Sequence, residues 1–345
     1  MRRCVPCVSD ESRATMEGLI AVTYRCNAHC HMCNTWQFPT LLEEEVTAAD
    51  LRSLPHLTFA NITGGEPFLR SDLEEIVEVV RRKADRVVIS TNGYFTDRIV
   101  SLAAKYPDLG FRVSLEGLPA ANDELRGIKN GFDHGLRTLL RLRRLGVKDI
   151  GFGITVSDRN ADDLADLYEL ADAMGLEFAT AAVHNNYYFH KFDNVIEETE
   201  RVAGRLEDIA RRMLRTNRPK NWFRAWFNVG LGNYVRGGAR LLPCDMGTDI
   251  FFVDPYGRVM PCNGMDAPMG SLKELTFDTI WASPEAEAVR GRVCTCDTNC
   301  WMIGSVALAM KKHIRVPATW VLKAKLTGRL PPIVPLGGAS GHGVG

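Results

Sequence analysis

The chain has 345 residues, of which 46% are hydrophobic, and its 42 basic and 42 acidic side chains give a formal net charge of zero. This length and apolar content support a sizeable core and one or two domains. The balanced charge offers no electrostatic case for nucleic acid as a partner. No apolar run reaches the roughly 18 residues that span a bilayer, and no apolar signal core follows the basic amino terminus.

Ten cysteines in a chain with no evident export signal indicate a reducing, cytoplasmic compartment and metal ligation rather than disulfides. Cys4 and Cys7 are compatible with metal binding, with redox exchange or with a spare mobile segment. The other eight cysteines fall into two groups separated by a long stretch without thiols. These groups are Cys26, Cys30 and Cys33, and then Cys244, Cys262, Cys294, Cys296 and Cys300.

Short apolar runs alternate with amphipathic stretches along the first half of the chain. The runs predict strands at residues 19–23, 57–63, 86–90, 111–115, 150–156 and 176–183. The stretches between them predict helices at residues 47–54, 71–83, 96–105, 133–145 and 161–174, with Thr47 and Ser71 as amino-terminal caps. This alternation is typical of βαβ units and a parallel sheet. Six units are too few for a closed eight-fold barrel, so we expect an open, partial (β/α)6 barrel of TIM type in the α/β class.

Three cysteines with C-x3-C-x2-C spacing directly follow the first predicted strand. Three thiolates cannot complete the four-cysteine shell of a cubane iron–sulfur cluster, so one iron would keep an open position for chemistry. A tight zinc loop and three incidental cysteines are the alternatives. One βα unit later, residues 63–67 read Thr-Gly-Gly-Glu-Pro, where the glycines permit close backbone approach and Glu66 offers a carboxylate to a cation.

Together these motifs resemble the radical S-adenosylmethionine (SAM) superfamily. The resemblance implies that Cys26, Cys30 and Cys33 hold a [4Fe–4S] cluster whose fourth iron is chelated by SAM. It also implies that SAM is cleaved to a 5′-deoxyadenosyl radical that abstracts hydrogen from a substrate. Every motif lies beyond the carboxyl end of a predicted strand, where α/β sheets place their chemistry.

The resemblance also implies a set of SAM-binding side chains. The turn at Gly64, Gly65 and Glu66 would bind the SAM amino group, and Arg126 its carboxylate, although a structural salt bridge is the alternative for Arg126. Met32 would contact adenine, and Ile154 on the fifth strand could add apolar contacts. Side chains facing the ribose and methionine would be Ser90, Asn92, Ser114 and Glu116. Glu116 stands where the family usually has Asp, and simple turn chemistry is the alternative for the two serines.

Residues 184–243 break the α/β pattern, with a long helix predicted at 194–215 and two polar–aromatic clusters at 184–191 and 221–228. Aromatic faces beside amides and guanidinium groups suit a sugar, cyclitol or nucleotide-sugar substrate. His184 is a candidate acid–base residue, as is His190, and either could equally be structural. The alternative for the tryptophans of the second cluster is a packing layer.

Cys244 and Cys262 flank a predicted β-hairpin at residues 250–262, and Cys294, Cys296 and Cys300 return further along. This layout resembles the SPASM and Twitch extensions of radical SAM enzymes. It implies one auxiliary [4Fe–4S] cluster on Cys244, Cys262, Cys296 and Cys300. Cys294 could replace Cys296 as a ligand or act as a free thiol that donates a hydrogen atom. A zinc ribbon is the alternative.

The tail from residue 303 has basic residues, no acidic ones, and a partly amphipathic pattern. It could dock on an anionic membrane surface or cover an anionic substrate, and the alternative is a helix packed on the barrel. We expect the Pro- and Gly-rich end at 331–345 to be disordered.

These inferences divide the chain into an amino-terminal segment (1–17), a radical SAM partial barrel (18–190), a helical substrate region (191–243), a Twitch- or SPASM-like α+β domain (244–302) and a basic tail (303–345). The predicted function is a radical SAM oxidoreductase or isomerase, or a C–C bond-forming enzyme, acting on a small polar substrate with an electron donor such as flavodoxin or ferredoxin. The alternatives are a peptide- or protein-modifying maturase and a non-catalytic zinc or iron–sulfur protein.

Overall fold

A computed structural model describes residues 16–336, so Cys4, Cys7 and the last residues of the tail lie outside the described part of the chain. The described residues form two compact units. The first unit comprises residues 16–153, 184–194 and 246–296, and the second comprises 154–183, 195–245 and 297–336. Neither unit is continuous in sequence, and the segment boundaries predicted above stay predictions.

The strands of the structure agree closely with those that hydrophobic runs predict. In chain order they are β1 (Glu17–Ala21), β2 (Phe59–Thr63), β3 (Val87–Thr91), β4 (Gly110–Ser114), β5 (Ile150–Val156), β6 (Glu177–Ala182), β7 (Ile250–Val253), β8 (Arg258–Met260) and β9 (Gly270–Ser271). In the first unit they lie in the order β5-β4-β3-β2-β1-β7-β8-β9. Strands β1 to β5 are parallel, and β1 also pairs in parallel with β7.

The helices fill the connections between strands and the region after β6. In chain order they are α1 (Leu73–Arg81), α2 (Thr96–Lys105), α3 (Pro119–Arg126), α4 (Gly131–Leu145), α5 (Leu164–Met174), α6 (Thr199–Arg215), α7 (Pro219–Val235), α8 (Phe277–Trp281), α9 (Pro284–Cys294), α10 (Ile303–Lys312) and α11 (Arg315–Thr327). The parallel sheet with its crossover helices confirms the α/β class.

Several predicted helices begin at other residues in the structure, including those predicted at 47–54 and 71–83. The stretch at 47–54 forms only a 3₁₀ turn, Asp50–Ser53, because Pro55 follows directly and disfavours helical backbone before it. Helix α1 begins at Leu73 after Asp72, and no side chain of residues 16–336 caps it. The Asp72 carboxylate instead accepts a hydrogen bond from Arg70 Nε at 2.8 Å. The predicted Ser71 cap is therefore wrong.

Consecutive buried residues on β1 and β3 show that the core of the first unit covers both faces of these parallel strands. Ile20, Ile62, Ile89, Phe111 and Phe152 sit on successive strands and are all fully buried. Strands covered on both faces have near-continuous apolar sequences rather than alternating ones. The antiparallel pair β7 and β8 confirms the predicted hairpin, with Val253 opposite Val259.

The second unit has a helical core built on the long helices α6 and α7. Trp226 and Phe227 of α7 are 2% and 3% exposed, and the indole N–H of Trp301 donates to the Phe227 carbonyl at 3.0 Å. A side chain on Gly230 would come within 2.5 Å of the Trp301 ring, so glycine at that position lets the ring approach the helix. The aromatic residues at 226 and 227 are therefore packing residues, which agrees with the packing-layer alternative.

The basic tail forms α10 and α11 within the second unit. Trp320, Val321 and Ala324 of α11 are buried, which supports the packed-helix alternative for this face. On the outward face Leu322 and Leu326 are 60% and 78% exposed. None of the helices in residues 16–336 combines the length and apolar character needed to cross a bilayer.

Candidate active site around the cysteine loop

The loop that follows β1 carries Cys26, Cys30 and Cys33 at the carboxyl end of the parallel strands. The Ala28 N–H donates to Cys26 Sγ at 3.4 Å, and the Cys33 thiol lies 3.2 Å from the Thr35 hydroxyl. Burial raises the pKa of the Cys26 thiol to about 12 and that of Cys30 to about 11. Since iron binds thiolates, loading a metal at this loop must displace these protons.

A buried carboxylate holds the base of this loop. Glu45 accepts hydrogen bonds from the hydroxyls of Thr23 and Thr40 and from Arg25 Nε, the last at 2.9 Å. Arg70 Nη1 lies 3.3 Å from the same carboxylate. Burial alone would raise the pKa of Glu45, but the hydrogen bonds from Arg25 and the threonines outweigh it and lower that pKa. Sequence reasoning missed this network, since its members are scattered between residues 23 and 70.

Helix α3 fixes the middle of the cysteine loop. The His29 N–H donates to the Arg126 carbonyl at 2.9 Å, and the His31 N–H to the Leu125 carbonyl at 2.8 Å. Gly127 ends the helix with φ 54°, and a Cβ there would lie 2.6 Å from the His29 carbonyl oxygen. Glycine is required at this position both by the left-handed backbone and by the close approach of the loop.

The Gly-Gly-Glu turn lies directly against the start of the cysteine loop. The Gly65 N–H donates to the Thr23 carbonyl at 2.7 Å, and the Glu66 N–H to the Arg25 carbonyl at 2.9 Å. A Cβ on Gly65 would lie 2.3 Å from the Arg25 carbonyl oxygen. The paired glycines therefore let two backbone segments touch, which is the physical role that their small size indicates.

Glu66 is fully buried and organises the loop after β3. Its carboxylate accepts from the Thr91 hydroxyl at 2.8 Å, from the Asn92 N–H at 2.7 Å and from the Phe68 N–H at 3.1 Å. Burial raises the pKa of Glu66 despite these bonds. A carboxylate has about four acceptor sites, so one position remains to accept from a cationic ligand. The Asn92 side chain in turn donates to Asn27 Oδ1 at 2.7 Å, within the cysteine motif itself.

Arg126 and Glu116 form a buried ion pair beside the cysteines. Arg126 Nη1 lies 3.1 Å from Glu116 Oε1, and the two side chains are 9% and 5% exposed. Glu116 is therefore held by the arginine, consistent with the salt-bridge alternative. The ion pair does not satisfy Arg126 Nε, which is buried and has no hydrogen-bond partner among the described residues.

Two hydrogen-bond donors beside the cysteines, Arg126 Nε and Asn27 Nδ2, are buried without a hydrogen-bond partner among the described residues. Buried donors are nearly always satisfied, so an unpaired set beside three thiols indicates a ligand that carries acceptors. The thiols and these donors thus fit a cluster and a cosubstrate with a carboxylate. Across residues 16–336, no three His, Cys, Asp or Glu side chains converge on one ion; a cubane places each thiolate on a different iron.

The remaining predicted SAM-binding residues lie at strand ends and loops. The Ser90 hydroxyl donates to Asn61 Oδ1 at 3.0 Å, Ser114 ends β4, and the Met32 carbonyl accepts from Asn194 Nδ2 at 3.2 Å. Ile154 is 2% exposed within β5. The cofactor contacts of all four stay predictions.

The segment at 184–194 packs directly on the cysteine loop, as expected for residues that follow the last parallel strand. The Asn34 N–H donates to the Phe189 carbonyl at 2.8 Å, and Asn34 Nδ2 to the His190 carbonyl at 3.1 Å. His184, the sequence-based acid–base candidate, has a ring nitrogen 3.3 Å from Asn186 Nδ2. Asn34 was missed, although its place next to Cys33 was a usable signal.

The carboxyl-terminal cysteines are divided between the units. In the first unit, Cys262 follows β8, Cys294 ends α9, and Cys296 lies two residues further on. In the second unit Cys244 is exposed. There Arg240 donates to the Cys300 carbonyl and lies 3.9 Å from Cys300 Sγ. The ligand set for an auxiliary cluster, including the role of Cys294, stays a prediction.

Comparison with known proteins gives two family matches. The radical SAM superfamily model matches residues 20–171, and the SPASM iron–sulfur cluster-binding domain matches residues 244–302. The native structure of anSMEcpe with bound AdoMet and Cp18Cys peptide covers 91% of this chain and 99% of its own at a TM-score of 0.62, with 13% identity.

Curated relatives include proteins that are named for different activities. The Fe-coproporphyrin III synthase of Methanosarcina barkeri is 33% identical over 44% of this chain and 39% of its own length. The sporulation killing factor maturation protein SkfB of Bacillus subtilis is 24% identical over 84% and 69%. The AdoMet-dependent heme synthase of M. barkeri is 25% identical over 80% and 86%. The chain thus spans about two fifths of the first of these relatives and larger shares of the others.

The family matches, the fold and the loop geometry agree. The match to the radical SAM domain confirms the predicted SAM and [4Fe–4S] cluster as its cofactors. The match to the SPASM domain confirms the predicted binding of an auxiliary iron–sulfur cluster. Residues 20–171 therefore form a radical SAM domain, and residues 244–302 form a carboxyl-terminal SPASM domain.

Proposed function

We propose that this radical SAM enzyme modifies a peptide. The sugar or cyclitol substrate expected from the aromatic clusters has no support among the relatives named above, and Trp226 and Phe227 of one cluster are core. The peptide alternative is supported by the likeness to a maturation protein over 84% of the chain. The same fold holds a bound peptide in anSMEcpe.

The observation that carries the proposal is the packing of residues 184–194 on the cysteine loop. Asn34 and Asn194 tie the two segments together through backbone carbonyls. The segment also presents amide, imidazole and aromatic groups next to the thiols. Such groups pair with peptide amides and apolar side chains.

Within this site each group of the chain has a separate task. Cluster and SAM together supply one-electron cleavage chemistry that removes a hydrogen atom from substrate. Cys26, Cys30 and Cys33 would hold the cluster, and Arg126 would orient the SAM carboxylate through its unpaired Nε. The segment at 184–194 would position the substrate and exclude water. A small redox protein of the flavodoxin or ferredoxin type would deliver the electron.

A second candidate is modification of a carboxylate-bearing tetrapyrrole. It is favoured by the likeness to the AdoMet-dependent heme synthase, which spans 80% of this chain and 86% of that protein. Arginines near the site could bind substrate carboxylates.

One experiment tests the proposal and separates the two candidates. The protein is reconstituted anaerobically with iron and sulfide, reduced, and given SAM together with a randomised peptide pool or an iron porphyrin with carboxylate side chains. Release of 5′-deoxyadenosine above the substrate-free rate with peptides supports the proposal. Stimulation by the porphyrin alone contradicts it and supports the second candidate.

A further inference from the structure

A tight loop within the segment at 184–194 holds one residue in an unusual backbone conformation. Asn186 and Lys191 pair across the loop, with the Asn186 N–H donating to the Lys191 carbonyl at 3.0 Å. Inside it His190 has φ 50°. Non-glycine residues adopt this left-handed conformation at a cost, and they concentrate at functional sites.

The backbone of this loop is tied to the cysteine loop. The carbonyls of Phe189 and His190 both accept hydrogen bonds from Asn34, the residue after Cys33. The Lys191 side chain forms an ion pair with Asp193, with 2.9 Å between its Nζ and Asp193 Oδ1. His190 is therefore placed by main-chain contacts next to the thiols, independently of its own side chain.

The His190 imidazole lies among aromatic rings. It stacks on Phe38 with ring centroids 4.6 Å apart and meets the Tyr24 ring edge-on at 5.0 Å. Burial, followed by the charge of Arg258, lowers the pKa of His190, so the ring is neutral near pH 7. A neutral imidazole offers one donor and one acceptor nitrogen.

One of those nitrogens is unused. His190 Nε2 is buried and has no hydrogen-bond partner among the described residues. A histidine kept only for structure would be expected to satisfy this atom, and a residue kept only for a left-handed turn would more often be Gly or Asn. Neither structural role accounts for an imidazole in this conformation with a free ring nitrogen.

We propose that His190 is a substrate-contacting residue whose Nε2 forms a hydrogen bond with an amide group of the bound peptide. The Phe38 ring, which stacks on His190 and is 50% exposed, suits the flat, uncharged amide or a neighbouring apolar side chain. This inference rests on the proposed function, since it specifies a peptide. Within the segment at 184–194, the functional histidine is therefore His190 rather than His184, whose ring nitrogen already lies near Asn186.

The test uses the reconstituted full-length protein and peptides selected from a randomised display library on the wild-type enzyme with SAM. His190→Phe keeps an aromatic ring and removes the nitrogens. His190→Asn tolerates the left-handed backbone and serves where the phenylalanine variant fails to fold. The matched control is His134→Phe, because His134 is also a stacked histidine of the first unit, 4.1 Å from the Tyr94 ring. Iron content and melting temperature verify folding.

Two rates are measured, peptide-free SAM cleavage and the peptide dependence of 5′-deoxyadenosine release. We expect both His190 variants to raise the KM for the selected peptide at least tenfold, with His134→Phe unchanged in both rates. A wild-type KM in the His190 variants would overturn the inference while leaving the proposed function intact. A parallel loss of peptide-free cleavage would also overturn it and would place His190 at the cofactor. If no peptide stimulates the wild-type enzyme, the proposed function fails and this inference fails with it.

Discussion

Replacing Arg126 separates a structural ion pair from a cofactor contact. Arg126→Met leaves the Glu116 carboxylate, 5% exposed, without the guanidinium 3.1 Å away. Exposed pairs contribute only about 0–1 kcal/mol, but removing one partner of a buried pair costs about 3–5 kcal/mol because the other charge stays buried. For a unit of roughly 200 residues this corresponds to a fall in melting temperature of about 6–20 °C.

A second change isolates the ion pair. In the double variant with Glu116→Gln the buried charge is gone, so we expect most of the lost stability to return. Thermal unfolding of the wild type, both single variants and the double variant completes a double-mutant cycle, in which the expected coupling is at least about 2 kcal/mol. A coupling near zero would refute the claim that the buried pair stabilises this loop.

The same variants test whether Arg126 contributes to the binding of SAM. The unpaired Arg126 Nε is absent from Arg126→Met and from the double variant, so we expect both to bind SAM at least tenfold more weakly than Glu116→Gln. The assay is equilibrium binding of SAM to the reconstituted, unreduced protein. Wild-type affinity in the stable double variant would mean that Arg126 only pairs with Glu116.

Three further predictions concern other parts of the chain. Gly65→Ala should abolish SAM cleavage and reduce soluble yield, because its Cβ would lie 2.3 Å from a carbonyl oxygen of the cysteine loop. Gly291→Ala is the control, because no atom of the described residues lies within 4 Å of a Cβ at that position. Burial alone would raise the pKa of Asp149, but two arginines hold it at about 2. The contribution of the charged Asp149 to the free energy of unfolding is therefore complete above pH ~4 and is lost as pH falls toward 2. Asp149→Asn should lower the free energy of unfolding at pH 7 by about 2 kcal/mol in urea titrations. The same change should make the free energy of unfolding less dependent on pH in the acid range. If the exposed Leu322 and Leu326 dock on membranes, changing both to Ser should at least halve cosedimentation with anionic vesicles, while Leu145→Ser should not.

Each of these three predictions has an outcome that would contradict it. An active Gly65→Ala enzyme would mean that the two loops can separate without loss of the site. Equal acid sensitivity of Asp149→Asn and wild type would mean that the arginines do not hold this carboxylate in its charged form. Absence of wild-type cosedimentation with anionic vesicles would remove the membrane contact and leave the tail as a packed helix.

The sequence was sufficient for the architecture because local signals and tertiary packing agree there. Helix α2 and strand β5 have the predicted bounds, since apolar periodicity alone determines them. The cysteine triplet, the Gly-Gly-Glu turn and Asn92 also lie together as predicted. Parallel strands bring their following loops to one edge of the sheet, so order along the chain becomes proximity in space.

The sequence was insufficient where a residue's role depends on distant partners. Residues 221–228 show the same mixture of aromatic and polar side chains as 184–191, yet Trp226 is core while His190 faces the cysteine loop. Composition cannot distinguish the two clusters, because Trp226 is core only through the side of its helix that packs against Trp301. Glu45 illustrates the same limit, since nothing local marks a surface-type residue as the buried anchor of the cysteine loop.

The most direct test of the central claim is reductant-dependent release of 5′-deoxyadenosine from anaerobically reconstituted protein in which Cys26, Cys30 or Cys33 is changed singly to Ala. We expect each change to abolish release and to remove the SAM-dependent change in the electron paramagnetic resonance spectrum of the reduced cluster. Undiminished release from any one of the three variants would contradict a three-cysteine cluster with an iron open to SAM.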